Sequence, residues 1–291
     1  MFHRIRILLE LTKFKISLLA TLFTSAGFIL AHHGLSMKMA LPALAVLLLA
    51  SGACVLNQYQ ERKIDKVMER TRGRPIPSQK LRPSTALWLS LALIFTGLMI
   101  LFYGTDSLAF GLGGFAILWY NGVYTYLKRW TPFAAIPGAL VGTLPPAIGW
   151  ISGGGTIFHP QLLALAFFSF LWQVPHFWLI LLSSGTDYER AGLPSLSGLF
   201  TPSQLKRVIF IWICSTAVLS LSLPLFYFNQ APFGNFFLLT ASLWLVWNAI
   251  RFLQSSPGRG SFHLVFMKLN LFVLWVISSL SLSSLLKASP L

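Results

Sequence analysis

At 291 residues, 55% hydrophobic and 10% charged, with a mean hydropathy of +0.71, the chain is too apolar for a soluble domain and reads as an integral membrane protein. Its formal net charge of +15 would suggest nucleic acid in a soluble protein, but the basic residues lie between apolar runs rather than in one patch. Nucleic acid is therefore excluded, and the lipid bilayer and an anionic substrate are the expected partners.

The first element follows a basic head in "MFHRIRILLELTKFKISLLATLFTSAGFILA". Its apolar run is too long for a signal peptide and has no small-residue cleavage site, so a retained first span is expected. Apolar stretches of roughly 17 to 23 residues, enough to cross about 30 Å of hydrocarbon as helices, recur from there on. They fall at 15–32, 40–60, 85–103, 107–127, 133–152, 161–183, 207–228, 232–253 and 264–286. The expected fold is all-α: one integral-membrane domain over 1–291, a polytopic bundle of nine transmembrane helices. Cys54 and Cys214 both lie inside apolar runs, which predicts packing cysteines and no disulfide or thiolate metal site.

The loops test this count independently. With nine crossings, 20 of the 22 basic residues fall on the side of the N-terminus, and only Lys38 and Lys287 on the other. The excess of Lys and Arg on cytoplasmic loops then places the N-terminus and the charged loops in the cytoplasm and the C-terminus outside. The opposite loops, such as "YGTDS" and "FNQAP", are short and nearly uncharged.

Between the second and third spans runs "NQYQERKIDKVMERTRGRPIP", which holds Glu61, Asp65 and Glu69, three of only seven acidic residues. Asn57, Glu61 and Asp65 are spaced i, i+4, i+8, which stacks three oxygen-bearing side chains on one helical face, about 6 Å apart per turn. One or two carboxylates, completed by water and substrate phosphate, are how Mg2+ is usually held. Arg70, Arg72 and Arg74 follow, with guanidinium forks suited to phosphate oxygens. Pro75 and Pro77 are expected to stop the helix after this basic cluster and keep the arginines near the ladder. A diphosphate bridged by Mg2+ fits such a site. A solvated loop with Glu and Lys/Arg pairs is the plainer alternative, but Asn57 at the end of an apolar span needs a partner.

Later segments add to this. "YTYLKRWTPFAAIPGALVGTLPPAIGW" puts Lys128 and Arg129 at the charged end of the fourth span, then opens a fifth rich in Gly and Pro, as where backbones approach closely or a helix bends. "LWQVPHFW" puts Gln173 and His176 inside the sixth span, where a His is either a hydrogen-bonded packing residue, a haem contact or a proton-transfer group. "SSGTDYERAGLP" supplies a second acidic cluster, Asp187 and Glu189, on the same side as the first.

"NQYQERKIDKVMERTRGRPIP" resembles the first aspartate-rich motif of the UbiA-type intramembrane prenyltransferases, in the form found in the protohaem IX farnesyltransferase branch. "YTYLKRWTP", "IPGALVGTLPPAIGW" and "WQVPHFWLILL" with "DYERAGLPSL" are similar to that branch's later signatures, in order. The match is close over about residues 50–200 and extends to the whole chain in its pattern of spans. Two departures stand out: Glu61 replaces the Asp of many members, and the second cluster lacks the fuller run of aspartates, leaving Asp187 as its acidic anchor and a second metal in doubt.

The resemblance implies farnesyl transfer from farnesyl diphosphate to a vinyl group of haem b, with water added, giving haem O and diphosphate for terminal oxidases. It implies a cell (inner) membrane location, Mg2+ as cofactor, and a haem O-processing enzyme or an oxidase assembly factor as protein partner. On this reading Asn57, Glu61, Asp65 and Asp187 are catalytic and hold the metal. Arg70, Arg74, Lys128 and Arg129 bind diphosphate, and His176 contacts haem. The rival readings are a prenyltransferase for a quinone precursor or chlorophyllide, a transporter for an anionic metabolite, and a non-catalytic scaffold for oxidase assembly. The transporter reading is weakened by the lack of an obvious internal repeat and by acids clustered at one face.

Overall fold

The computed structural model describes residues 2–183, 187–226, 232–256 and 258–288, and among them every regular element is helical. A short helix α1 (Phe2–Leu11) precedes α2 (Phe14–His32), α3 (Ala40–Asp65) and α4 (Pro83–Gly104). Next comes α5, a continuous helical run made of Ser107–Ile117, a π-helical segment Leu118–Tyr124, and Thr125–Leu127. The run α6 (Pro132–Ser152) alternates 3-10 and α geometry, and α7 (Pro160–Ser183) follows. The short α8 (Asp187–Arg190) leads to α9 (Pro202–Ser222), α10 (Pro232–Gln254) and α11 (Arg259–Ala288).

Eight segments among the described residues are long and apolar enough to cross a membrane. The remaining predicted span, 107–127, is present as α5 but interrupted by its π-helical segment. The predicted spans and observed helices coincide within a few residues, with one informative exception. Helix α3 continues through Glu61 to Asp65, so the acidic ladder extends the helix beyond its apolar part. The helix then stops at Asp65, before the basic cluster and ten residues before Pro75, where the sequence had suggested a later stop. Turns from 66 to 82 bring Arg74 back onto Asp65 at its end. The predicted loop at 228–231 and the last residues, 289–291, lie outside the described residues.

Helix α2 packs against α6 and α3 against α4, while α9, α10 and α11 pack in sequence and close onto α7. The α2–α6 contact depends on glycine. A Cβ at Gly149 would lie 1.8 Å from the Thr24 carbonyl oxygen, and one at Gly27 would lie 2.1 Å from that of Pro146. Backbones in lipid gain van der Waals contact only by such close approach, because lipid tails are as apolar as the side chains they would displace. The Gly- and Pro-rich fifth span thus brings its backbone onto α2, as its composition suggested. Many large apolar side chains, among them Trp88, Phe95, Leu118 and Ile211, are exposed on the outside of the bundle, as a lipid-facing surface requires.

Candidate active site

One cavity of about 560 Å³ runs into the bundle between α2, α3, α5, α6 and α7. Its mouth is charged: Glu10, Lys13, Glu61, Asp65, Arg70, Arg74 and Lys128 line it. Its interior is apolar and aromatic, with Phe23, Leu49, Ile148, Trp172 and Phe177 on the walls.

The ladder forms as its spacing predicts. Asn57, Glu61 and Asp65 are all buried on the cavity side of α3, and each is held. Asn57 donates from Nδ2 to Thr125 Oγ1 at 3.1 Å, which leaves its Oδ1 for another partner. Glu61 Oε1 lies 2.5 Å from Lys128 Nζ. Both oxygens of Asp65 accept from Nη1 of Arg74, at 2.9 and 2.8 Å. Because one guanidinium nitrogen serves both bonds, the rest of the Arg74 fork is left for a ligand. Lys128 sits at the end of α5, and burial works against its charge. The Glu61 carboxylate, helped by Tyr188 and Tyr124, more than offsets this and raises the ammonium pKa above the ordinary lysine value.

The other predicted residues divide. Arg70 lines the mouth, and its backbone N–H donates to Asp187 Oδ2 at 2.9 Å. Asp187 is buried in α8 and fastens the basic loop to the start of that helix, set back from the cavity wall. Arg129 is also set back. Its Nη2 donates to the Gln60 carbonyl at 3.3 Å and its guanidinium lies over Tyr126, so it ties α5 to α3. His176 lines the interior. Glu69 pairs with Arg190 on the open surface. Among the described residues, no three of His, Cys, Asp and Glu come together as a metal centre. The oxygens that face the cavity from one helix, Glu61, Asp65 and the free Oδ1 of Asn57, fit Mg2+ of the kind completed by water and substrate phosphate.

Sequence reasoning counted Lys13 only toward topology, yet it lines the mouth. Its backbone is left-handed (φ 47°, ψ 51°) at the corner between α1 and α2, a conformation that costs a non-glycine residue energy and needs support. Gln58, buried on α3, supplies it by donating to the Leu11 carbonyl at 2.8 Å and that of Glu10 at 3.3 Å. The corner thus aims a lysine at the ladder. Burial, and with it the charges of Arg74 and Lys128, lowers the Lys13 pKa from the ordinary lysine value. The positive φ was not readable from sequence, because Lys rarely adopts it.

The π-helical segment also went unpredicted. Its wider turn sets Tyr120 and Tyr124 side by side on the cavity wall, rings stacked at 5.7 Å, and Tyr124 stacks in turn on Phe177 at 5.6 Å. Asn121 braces the segment by donating to the Ala53 carbonyl at 3.0 Å and to Gln60 Oε1 at 3.2 Å. Single π turns of this kind are frequent at functional sites.

The profile of the UbiA prenyltransferase family matches residues 19–272, which takes in these elements except α1, the Lys13 corner, the start of α2 and the end of α11. The chain belongs to the UbiA prenyltransferase family. Among its relatives is the protoheme IX farnesyltransferase of Geobacter sulfurreducens, 40% identical over 216 residues, covering 73% of this chain and 78% of that one. That of Oleidesulfovibrio alaskensis is 33% identical over 256 residues, or 88% and 90%. Of solved structures, a digeranylgeranylglyceryl phosphate synthase superposes with a TM-score of 0.77 at 15% identity, covering 97% of this chain and 99% of that one. A UbiA homolog from Archaeoglobus fulgidus bound to DMAPP and Mg2+ gives 0.67 at 14% identity, covering 96% and 98%. At these identities the structural matches establish the fold of a multi-pass membrane protein.

Proposed function

We propose that this UbiA-family chain transfers a farnesyl group from farnesyl diphosphate to a vinyl group of protohaem IX, with addition of water, giving haem O and diphosphate. The observation that carries the reading is the cavity itself: paired carboxylates and unneutralised cations at one end, an aromatic and apolar chamber at the other. The names of the relatives direct the choice of acceptor and prenyl donor.

The residues support the chemistry in order. The apolar interior takes the farnesyl chain and excludes water, while the mouth takes the diphosphate. Four cations line that mouth against three carboxylates, so its surplus of charge is small next to that of a diphosphate. Mg2+ held by Asn57, Glu61 and Asp65 would supply the remaining positive charge and stabilise the leaving group. Arg74, Lys128, Arg70 and Lys13 meet the charge that develops on the diphosphate as the allylic C–O bond breaks. Tyr120, Tyr124 and Phe177 present ring faces that stabilise the allylic cation without attacking it. The vinyl terminal carbon then uses its π electrons to form the C–C bond. The cation left beside the porphyrin ring takes up water, which loses a proton. Asp187 and Arg129 serve by fastening the loops that carry Arg70 and Lys128, and His176 contacts the porphyrin. The charged end faces the cytoplasm of a cell (inner) membrane protein acting as one domain, and haem O passes to a haem O-processing enzyme.

The test is purified, detergent-solubilised protein with haem b, farnesyl diphosphate and Mg2+, with and without chelator, followed by porphyrin mass. A gain of one farnesyl plus one water, lost on chelation, is expected. No new porphyrin from folded protein that binds both substrates would overturn the reading and favour another acceptor.

Lys13 gives a second expectation. Lys13→Ala raises the farnesyl diphosphate concentration needed for half-maximal turnover about 10-fold or more, since a hydrogen bond between charged groups is worth about 1.5–3 kcal/mol. Because the pKa of Lys13 is lowered, its charge is lost as pH rises at a pH below that of an ordinary lysine. Activity therefore declines early on the alkaline side, and Lys13→Arg moves that decline to higher pH. An unchanged pH profile in Lys13→Arg would remove Lys13 from the site.

A further inference from the structure

We propose that His176, oriented by Asn270, is the base that takes the proton from the water added after farnesyl transfer; the proposal rests on the farnesyl-transfer reading above. His176 lines the cavity from α7, across from the ladder on α3. Its Nδ1 lies 2.8 Å from Asn270 Oδ1 on α11. Which way the Asn270 amide points is fixed independently, because its Nδ2 donates to the Phe266 carbonyl at 2.7 Å. An amide oxygen can only accept, so the hydrogen of the neutral imidazole sits on Nδ1 and the lone pair on Nε2.

The ring is also held in place by edge and tilted contacts with Trp172 at 5.1 Å, Phe177 at 5.8 Å and Phe266 at 4.9 Å. A base whose second nitrogen is bonded to an orienting group, in a dry site, is the arrangement general-base catalysis needs. One turn away on the same wall, Gln173 Oε1 is buried without a partner among the described residues. Gly142 makes room for that amide, since a Cβ there would lie 2.9 Å from Gln173 Oε1. Gln173 is the acceptor available for the water's second hydrogen.

The step balances. Once the C–C bond has formed, the vinyl carbon next to the ring is cationic. A water oxygen lone pair forms the C–O bond, and the O–H electrons return to oxygen as the proton passes to His176 Nε2. Without the base, the same cation loses a proton from the neighbouring carbon and yields an alkene lighter by one water. The ratio of the two products therefore reads the base directly, and a merely structural role would not move it.

The experiment measures diphosphate release and porphyrin product masses for full-length protein carrying His176→Ala, Asn270→Leu or Asn270→Asp, with farnesyl diphosphate, haem b and Mg2+. The hydrated fraction relative to the alkene is expected to fall about 10²-fold in His176→Ala, the lower range for loss of a general base, while diphosphate release falls much less. Asn270→Leu should move the ratio the same way, and Asn270→Asp, which keeps an oxygen acceptor, should restore it. If His176→Ala fails to fold, the smaller perturbation His176→Asn carries the same expectation. A product ratio unchanged in these variants, or a parallel fall of diphosphate release and both products, overturns the role of His176. Absence of any farnesylated porphyrin from the unsubstituted protein instead overturns the farnesyl-transfer reading, and this proposal with it.

Discussion

Asp65→Asn is expected to lower farnesyl transfer by about 10²- to 10³-fold at saturating Mg2+, the loss typical of removing one preorganised electrostatic group from a water-excluded site. Asp65 is 2% exposed, faces the cavity and ends the ladder. Its two oxygens hold Arg74 nine residues onward, so the substitution removes a carboxylate and also frees the arginine that would meet the diphosphate. Breaking a buried ion pair costs about 3–5 kcal/mol when one charge is left behind. Arg74 retains a side-chain exposure of 17%, which reduces that cost through solvent screening. Folded yield should therefore be measured beside turnover. The comparison is Glu69→Gln, which breaks a pair exposed at 60% and 64% and is expected to change stability by less than about 1 kcal/mol. Full turnover in well-folded Asp65→Asn would sink the assignment of the ladder.

The second large effect is structural. Gly149→Ala is expected to disrupt the bundle, because the added carbon would sit 1.8 Å from the Thr24 carbonyl oxygen and the obstacle is backbone, which cannot rotate away. Helices α2 and α6 must separate, and both line the cavity. The cost should reach or exceed the upper end of the ~1–3 kcal/mol usual for overpacking. Loss of monodisperse protein, or a lower melting midpoint in detergent, reads it out. Gly111→Ala in α5, where nothing lies within 4 Å, is the control. It should be neutral or favourable, since Ala exceeds Gly in helix propensity by about 1 kcal/mol. Equal stability of the two variants would contradict the close α2–α6 packing.

Much of this architecture was legible in the chain because its causes are local. In lipid a backbone must satisfy its hydrogen bonds within the segment, so an apolar run of span length is a helix wherever it occurs. The ladder was legible for the same reason: i, i+4, i+8 share a face in any helix, and α3 continues far enough to carry Asp65. The sequence also identified Gly and Pro in α6 as marks of close approach, but not the partner helix.

Other features depended on residues far apart in the chain. Asp187 and Arg129 carry the charge their motifs call for, but the partners they meet in space, the Arg70 backbone N–H and the Gln60 carbonyl, come from distant parts of the chain. Lys13 looked like one more topology-setting cation until Gln58, on another helix, held its corner in a left-handed turn. His176 was visible as an intramembrane histidine, but its tautomer depends on Asn270, 94 residues later.

The sequence by itself determined the membrane class, the helical spans and the ladder of Asn57, Glu61 and Asp65, because each follows from composition, local order or repeated spacing, while the family was legible only through the resemblance of its motifs. The tertiary structure alone decided which cations face the ladder, which are tied to carbonyls of other helices and which nitrogen of His176 meets Asn270, because charge and hydrogen-bond partners are chosen by distance in space, and distance in sequence does not set it.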